Sequence, residues 1–110
     1  MTALIENETI NTNKLDVWDY IHQLGAGWHI YDYHYIEKEF IFKNFINAFH
    51  FTNKVGELAL RNGHYPTIRL SDGKVKVSIW TQEEDGEYLT EHDFNLATKI
   101  QGIYDTQKII

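Results

Sequence analysis

Residues 43–66 read KNFINAFHFTNKVGELALRNGHYP, and the reading of this stretch decides the fold. Phe45, Ala48, Phe49, Thr52, Val55 and Ala59 recur at steps of three and four residues, the spacing of one helix face. A single long helix is therefore expected, beginning near Lys43 or Asn44, with that face buried. Gly63 stands where a C-cap belongs, because glycine adopts the left-handed conformation at little steric cost, and Pro66 cannot continue the helix. His64 and Tyr65 are thereby held at a fixed corner just past the helix end. A small-molecule site is expected there.

Upstream, Met1 to Asn13 is polar and aperiodic and reads as a mobile lead-in. Leu15, Trp18, Ile21, His22 and Leu24 then mark one stripe of a short helix, with Asn13 as N-cap and Asp16 near the positive end. Gly25-Ala26-Gly27 ends it. Trp28 to Tyr31 reads as a strand, Asp32-Tyr33-His34 as a turn, and Tyr35 to Phe42 as a second strand. In that strand Ile36, Lys38, Phe40 and Phe42 share one side, opposite Glu37, Glu39 and Ile41. Downstream, Thr67 to Leu70 is a short strand and Ser71-Asp72-Gly73 a turn. Lys74 to Thr81 alternates, with Val75, Val77 and Ile79 inward and Trp80 outward. A tryptophan on that outer side must be covered by something, and a subunit contact is one way to cover it. Gln82 to Tyr88 reads as an acidic loop. Thr90 and Asp93 then open a last helix as N-cap and capping-box partner, with Leu96, Ala97, Ile100, Ile103 and Tyr104 as its buried stripe. The tail to Ile110 is expected to fray.

The expected architecture is α+β: a four-stranded antiparallel sheet with three helices packed on one face, in the order α-β-β-α-β-β-α, as a single domain over residues 14–110. The chain of 110 residues has 43% hydrophobic and 15% aromatic residues, a globular composition. It has no cysteine, which excludes disulfides, thiolate metal ligands and cysteine nucleophiles. A formal net charge of −6 opposes attraction to phosphate backbones, so nucleic acid is not an expected partner; Lys and Arg are scattered singly along the chain. No apolar run approaches the roughly 18 residues of a membrane span, and Met1–Asn13 lacks the apolar core of a signal peptide. A soluble, cytoplasmic protein is expected. His22, His29, His34, His50 and His92 show no ligand-like spacing, so no metal site is expected.

Gly27-Trp28, the run Phe40-Ile41-Phe42-Lys43-Asn44-Phe45, Ala48, Phe49, His64-Tyr65-Pro66, Val75-Lys76-Val77, Thr81, and Leu89-Thr90 with Asp93 and Ala97 together resemble the pterin-4a-carbinolamine dehydratase family, whose members are also known as dimerisation cofactors of a homeodomain transcription factor. The resemblance covers residues 15 to 105 and implies the same fold. It further implies dehydration of a 4a-hydroxytetrahydropterin to the quinonoid dihydropterin without metal or cofactor, in a homodimer or homotetramer. The family motif has an acidic residue four positions before a His-His-Pro triplet, a Thr-His pair at a strand end, and an aspartate after a Leu-Thr. Here the triplet is His64-Tyr65-Pro66, the pair is Thr81-Gln82 and the aspartate is Asp93. The acidic position falls on Leu60, with Glu57 nearly one turn earlier, and an aromatic position between strands falls on Asp72.

The resemblance thus implies His64, Tyr65, Gln82 and Asp93 as the catalytic set, with Glu57, Pro66, Thr81 and Trp80 around the substrate. Delivering a proton to the departing hydroxyl and removing one from a ring nitrogen suits a group that titrates near neutrality, as histidine does. Tyrosine is a poor base at that pH and glutamine does not titrate. Dehydratase activity is accordingly expected to be reduced by about 10²-fold or more, the scale of one lost acid-base group. Each residue also has a purely structural reading. His64 would cap the last helical carbonyls, Tyr65 would pack in a core or interface, and Asp93 would complete a helix N-terminus. The alternative function is a non-catalytic module that binds a protein client, as dehydratase-like rubisco assembly factors and dimerisation cofactors do.

Overall fold

A computed structural model describes residues 14–84 and 86–109. The elements are helix α1 (Lys14–Leu24), strands β1 (His29–Tyr31) and β2 (Tyr35–Ile41), helix α2 (Phe45–Asn62), strands β3 (Thr67–Ser71), β4 (Lys74–Ile79), β5 (Thr81–Glu83) and β6 (Gly86–Tyr88), and helix α3 (Glu91–Ile109). β1 to β4 form the expected four-stranded antiparallel sheet, in the order β1-β2-β4-β3. Its inner face carries Ile36, Phe40, Val75, Val77 and Ile79, all buried, and the three helices pack on that face. Register aligns Ile36 with Ile79 and Phe40 with Val75, so the large side chains of neighbouring strands pack side by side.

Two turns depend on backbone that few side chains tolerate. Asp32 and Tyr33 take positive φ (52° and 60°) and close the β1–β2 hairpin without a glycine. Between β3 and β4, Asp72 is at φ 54° and the Gly73 carbonyl accepts from the Phe42 N–H at 2.8 Å. A Cβ at residue 73 would lie 2.9 Å from the Phe42 carbonyl oxygen, so only glycine allows this approach.

α2 starts where Asn44 caps it, the side-chain oxygen accepting from the Asn47 N–H at 2.8 Å. It ends at Gly63, which is left-handed at φ 67° and donates its N–H to the Ala59 carbonyl at 2.9 Å. The buried face is rotated from the expected one. Ala48, Val55 and Ala59 are buried as expected and Thr52 is half-buried, but Phe51 and Leu58 join them in place of Phe45 and Phe49, which are 49% and 44% exposed. Phe51 accounts for the rotation: it is fully buried and packs on Phe40 (4.8 Å between ring centroids), Phe42 (5.1 Å) and Tyr104 (5.9 Å), tying α2 to both sheet and α3. Burying such a ring contributes about 1.5–3 kcal/mol, which a face centred on Phe45 and Phe49 would forgo.

α1 is rotated in the same way. Val17, Ile21 and Leu24 are buried, while Trp18 is 46% exposed, its indole donating to the Tyr33 hydroxyl at 3.1 Å, and His22 is exposed. The side chains of Leu15 and Asp16, the Asn13 cap and the lead-in over 1–13 lie outside the described residues. Lys38, the cation on the inner side of β2, donates to the Ala26 carbonyl and Gln101 Oε1, both at 2.8 Å, and sits 5.0 Å over the Phe40 ring. One further expectation is corrected. The acidic stretch after Thr81 is not a plain loop: β5 and β6 form a separate ribbon pairing Thr81 with Tyr88 and Gln82 with Glu87. α3 runs to Ile109, and Ile110 lies outside the described residues.

Candidate active site

A cleft at the end of α2 is built from the helix's last residue, the corner after it, the start of β5 and α3. Gly63 turns the chain, so that the His64 N–H still reaches the Ala59 carbonyl (3.3 Å) while its imidazole leaves the helix. The ring caps no helical carbonyl. Its Nε2 lies 2.9 Å from Asp93 Oδ1 and 3.3 Å from the Trp80 carbonyl oxygen. Two acceptors on one nitrogen place the proton on Nε2 of the neutral ring and leave Nδ1 with the lone pair. Nδ1 has no hydrogen-bond partner among the described residues.

Asp93 is completely buried behind that ring. Its Oδ2 accepts from the Thr90 N–H at 2.7 Å, the reach back to the N-cap that defines a capping box, and the Thr81 hydroxyl donates to the same carboxylate at 3.0–3.1 Å. One carboxylate therefore starts α3, ties it to β5 and holds His64. Burial pushes its pKa above the ordinary aspartate value of 3.8; the Thr90 and Thr81 donors and the His64 ring act against burial without cancelling it.

In front of His64 is an open cleft of about 640 Å³. His64, Tyr65, Trp80, Thr81 and Gln82 are among the residues that line it; Tyr65 is 68% exposed, and the Gln82 amide, also exposed, donates to the Glu83 carbonyl at 3.2 Å. Trp80 is half-buried, with its ring edge-to-face on Tyr35 at 6.1 Å, so the tryptophan left uncovered by the β alternation is covered in part within the chain. Asp93 lies beneath the cleft rather than in its wall. Glu57 and Pro66 are not among the residues of that wall.

The rest of the lining was not found by sequence reasoning. It includes Asn62 from α2 and His92, Asn95, Leu96 and Lys99 from α3. A signal for the α3 set was available: with the helix capped at Thr90, positions 92, 95, 96 and 99 fall at three- and four-residue steps on one face. Lys99 Nζ donates to Asn62 Oδ1 at 3.2 Å and joins the two helices at the cleft rim. Among the described residues no group of three His, Cys, Asp or Glu side chains is arranged to hold a metal ion.

The family model described as Pterin 4 alpha carbinolamine dehydratase matches residues 11–103. The chain belongs to this family. It is 46% identical over 81 residues to a protein of Alkaliphilus metalliredigens named "Putative pterin-4-alpha-carbinolamine dehydratase", covering 74% of this chain and 71% of the relative. A Rickettsia canadensis protein of the same name is 34% identical over 108 residues, covering 92% of this chain and 97% of the relative. Among solved structures, the transcriptional coactivator/pterin dehydratase of Brucella melitensis superposes with a TM-score of 0.75 at 28% identity, over 84% of this chain and 96% of that one. No described helix of this family member is long and apolar enough to cross a membrane.

Proposed function

We propose that the protein dehydrates a 4a-hydroxytetrahydropterin to the quinonoid dihydropterin in the His64 cleft. The observation that carries this reading is the buried Asp93 carboxylate 2.9 Å behind an imidazole that lines an open cleft. In the reaction the C4a–O bond breaks, the departing hydroxyl takes up a proton and leaves as water, and a pterin ring nitrogen releases a proton, so only water is lost. His64 is assigned both transfers through Nδ1, with Asp93 as a positioning residue that fixes the tautomer and offsets the charge of the imidazolium. The Tyr65 hydroxyl and the Gln82 amide are assigned to hydrogen-bond the substrate, beside Trp80 and Thr81. Pro66 sets the corner that carries Tyr65, and Glu57 receives no role. With a histidine at only one of the three motif positions, turnover is expected about 10²-fold below that of a fully equipped relative.

The reading includes a homo-oligomer in the cytoplasm. Phe45, Phe49, Gly56 and Leu60 fall at steps of four, seven and four on α2, with Ile46 beside them. Ile46 and Leu60 are 63% and 73% exposed, so with the two phenylalanines they form an unburied apolar stripe along the helix, and a second copy is the assigned occupant. Leu60, where the family motif has its acid, belongs to this stripe and not to the cleft wall.

The same stripe favours a second reading, a non-catalytic module with a protein client. Calorimetric titration with a reduced pterin separates the two. Binding by the wild type, with turnover raised by the Tyr65→His/Gln82→His double substitution, is the expected result. No pterin binding by either protein overturns the enzymatic reading in favour of the module.

A further inference from the structure

The cleft does not end at Lys99. Between α2 and α3 a second groove of about 490 Å³ opens on the far side of that residue, with Lys54, Arg61 and Lys99 along it and Leu58 and Ile103 as its apolar part. Lys99 belongs to both walls, so the two depressions adjoin through its side chain. No Asp or Glu lines the groove, and among the described residues none of these three cations has a carboxylate partner, Glu57 one turn before Arg61 included. In a chain with sixteen acidic and ten basic residues, three adjacent cations without an acid form a local field opposite to that of the whole molecule. They are scattered in sequence and meet only because two helices pack. Lys54 and Arg61 are separated along α2 by about 10 Å at a rise of about 1.5 Å per residue, the span of an extended substituent and not of one small ion.

We infer that this groove binds a negatively charged tail on the C6 side chain of the pterin, carboxylate or phosphate, making the site selective for anionic reduced pterins. The inference rests on the pterin reading of the cleft and adds the substrate class. The ring system occupies the His64 cleft, the side chain crosses Lys99, and the anionic groups lie between Arg61 and Lys54. Exposed cation pairs are individually weak, so the combined preference is expected to be about tenfold and salt-sensitive.

The test uses two probes that differ only in the tail: 7,8-dihydroneopterin, which is neutral there, and its triphosphate. Calorimetric affinities are compared for the wild type and for Lys54→Gln/Arg61→Gln, a pair of exposed positions outside the cleft wall. The triphosphate is expected to bind the wild type about tenfold more tightly, the advantage shrinking with added salt and in the double variant, while dihydroneopterin binds both proteins alike. Equal binding of the two probes to the wild type, or an advantage retained by the variant, overturns the tail site and leaves the pterin reading standing. Failure of both probes to bind overturns the two together. Inorganic triphosphate is the remaining arm: if it alone binds as tightly as the pterin triphosphate, the groove is an independent anion site and the proposal is wrong.

Discussion

Asp93 is the residue on which cap, core and site converge, and its burial has a pH signature. Because its folded-state pKa lies above the ordinary 3.8 of an unfolded chain, the native protein holds this proton longer as pH rises. The contribution of Asp93 to stability is fully present below the unfolded value and is lost as pH rises through the folded one. Urea unfolding of wild type and Asp93→Asn is therefore expected to show the wild type losing ground to the variant from pH about 4 upward; a difference that is flat or runs the other way contradicts the burial argument. The same substitution swaps the carboxylate behind Nε2 for an amide, so kcat is expected to fall by about tenfold or more with KM little changed. A fall in KM-dependent binding alone would instead make Asp93 merely structural.

At the scale of elements, the ends of α2 were legible and its orientation only in part. Gly63 announces the C-terminal boundary because a cap is local chemistry, and the start expected near Lys43 or Asn44 falls at the Asn44 cap. Which apolar face goes inward is decided by partners distant in sequence: Phe51 meets Phe40, Phe42 and Tyr104, and nothing in the spacing of Phe45 and Phe49 distinguishes a core side chain from one at an interface. The β5–β6 ribbon was missed for another reason. Its strands have three residues each and are rich in charge, too short for an alternation to register. The His64–Asp93 contact follows the same rule. The Thr90–Asp93 cap could be read directly, whereas the imidazole comes from a position 29 residues earlier in the chain. Two stability predictions belong here. Gly63→Ala forces a left-handed alanine at φ 67° and is expected to cost about 1 kcal/mol, measured by urea unfolding. Phe51→Ala empties the centre of the aromatic cluster and is expected to cost about 3–5 kcal/mol by the same measurement.

For the molecule as a whole, the four-stranded antiparallel sheet and the one-sided packing of the helices followed from alternation and element sequence, while the strand order within the sheet and the surfaces did not. The α2 stripe and the basic groove lie on different sides of one helix, and a two-category reading of apolar and charged residues cannot assign either to a partner. If the stripe joins copies, Phe45→Asp/Phe49→Asp is expected to convert the oligomer to folded monomer in sedimentation velocity, with the circular dichroism spectrum unchanged. An unaltered oligomer would place the contact elsewhere. The claim on which everything else rests is that a histidine released at the end of α2 moves the protons in this cleft. Stopped-flow dehydration of a synthetic 4a-hydroxytetrahydropterin tests it most directly, comparing wild type with His64→Gln. The account predicts acceleration over buffer by the wild type and a loss of about 10²-fold in the variant; equal rates for the two proteins, or no acceleration by either, would contradict it.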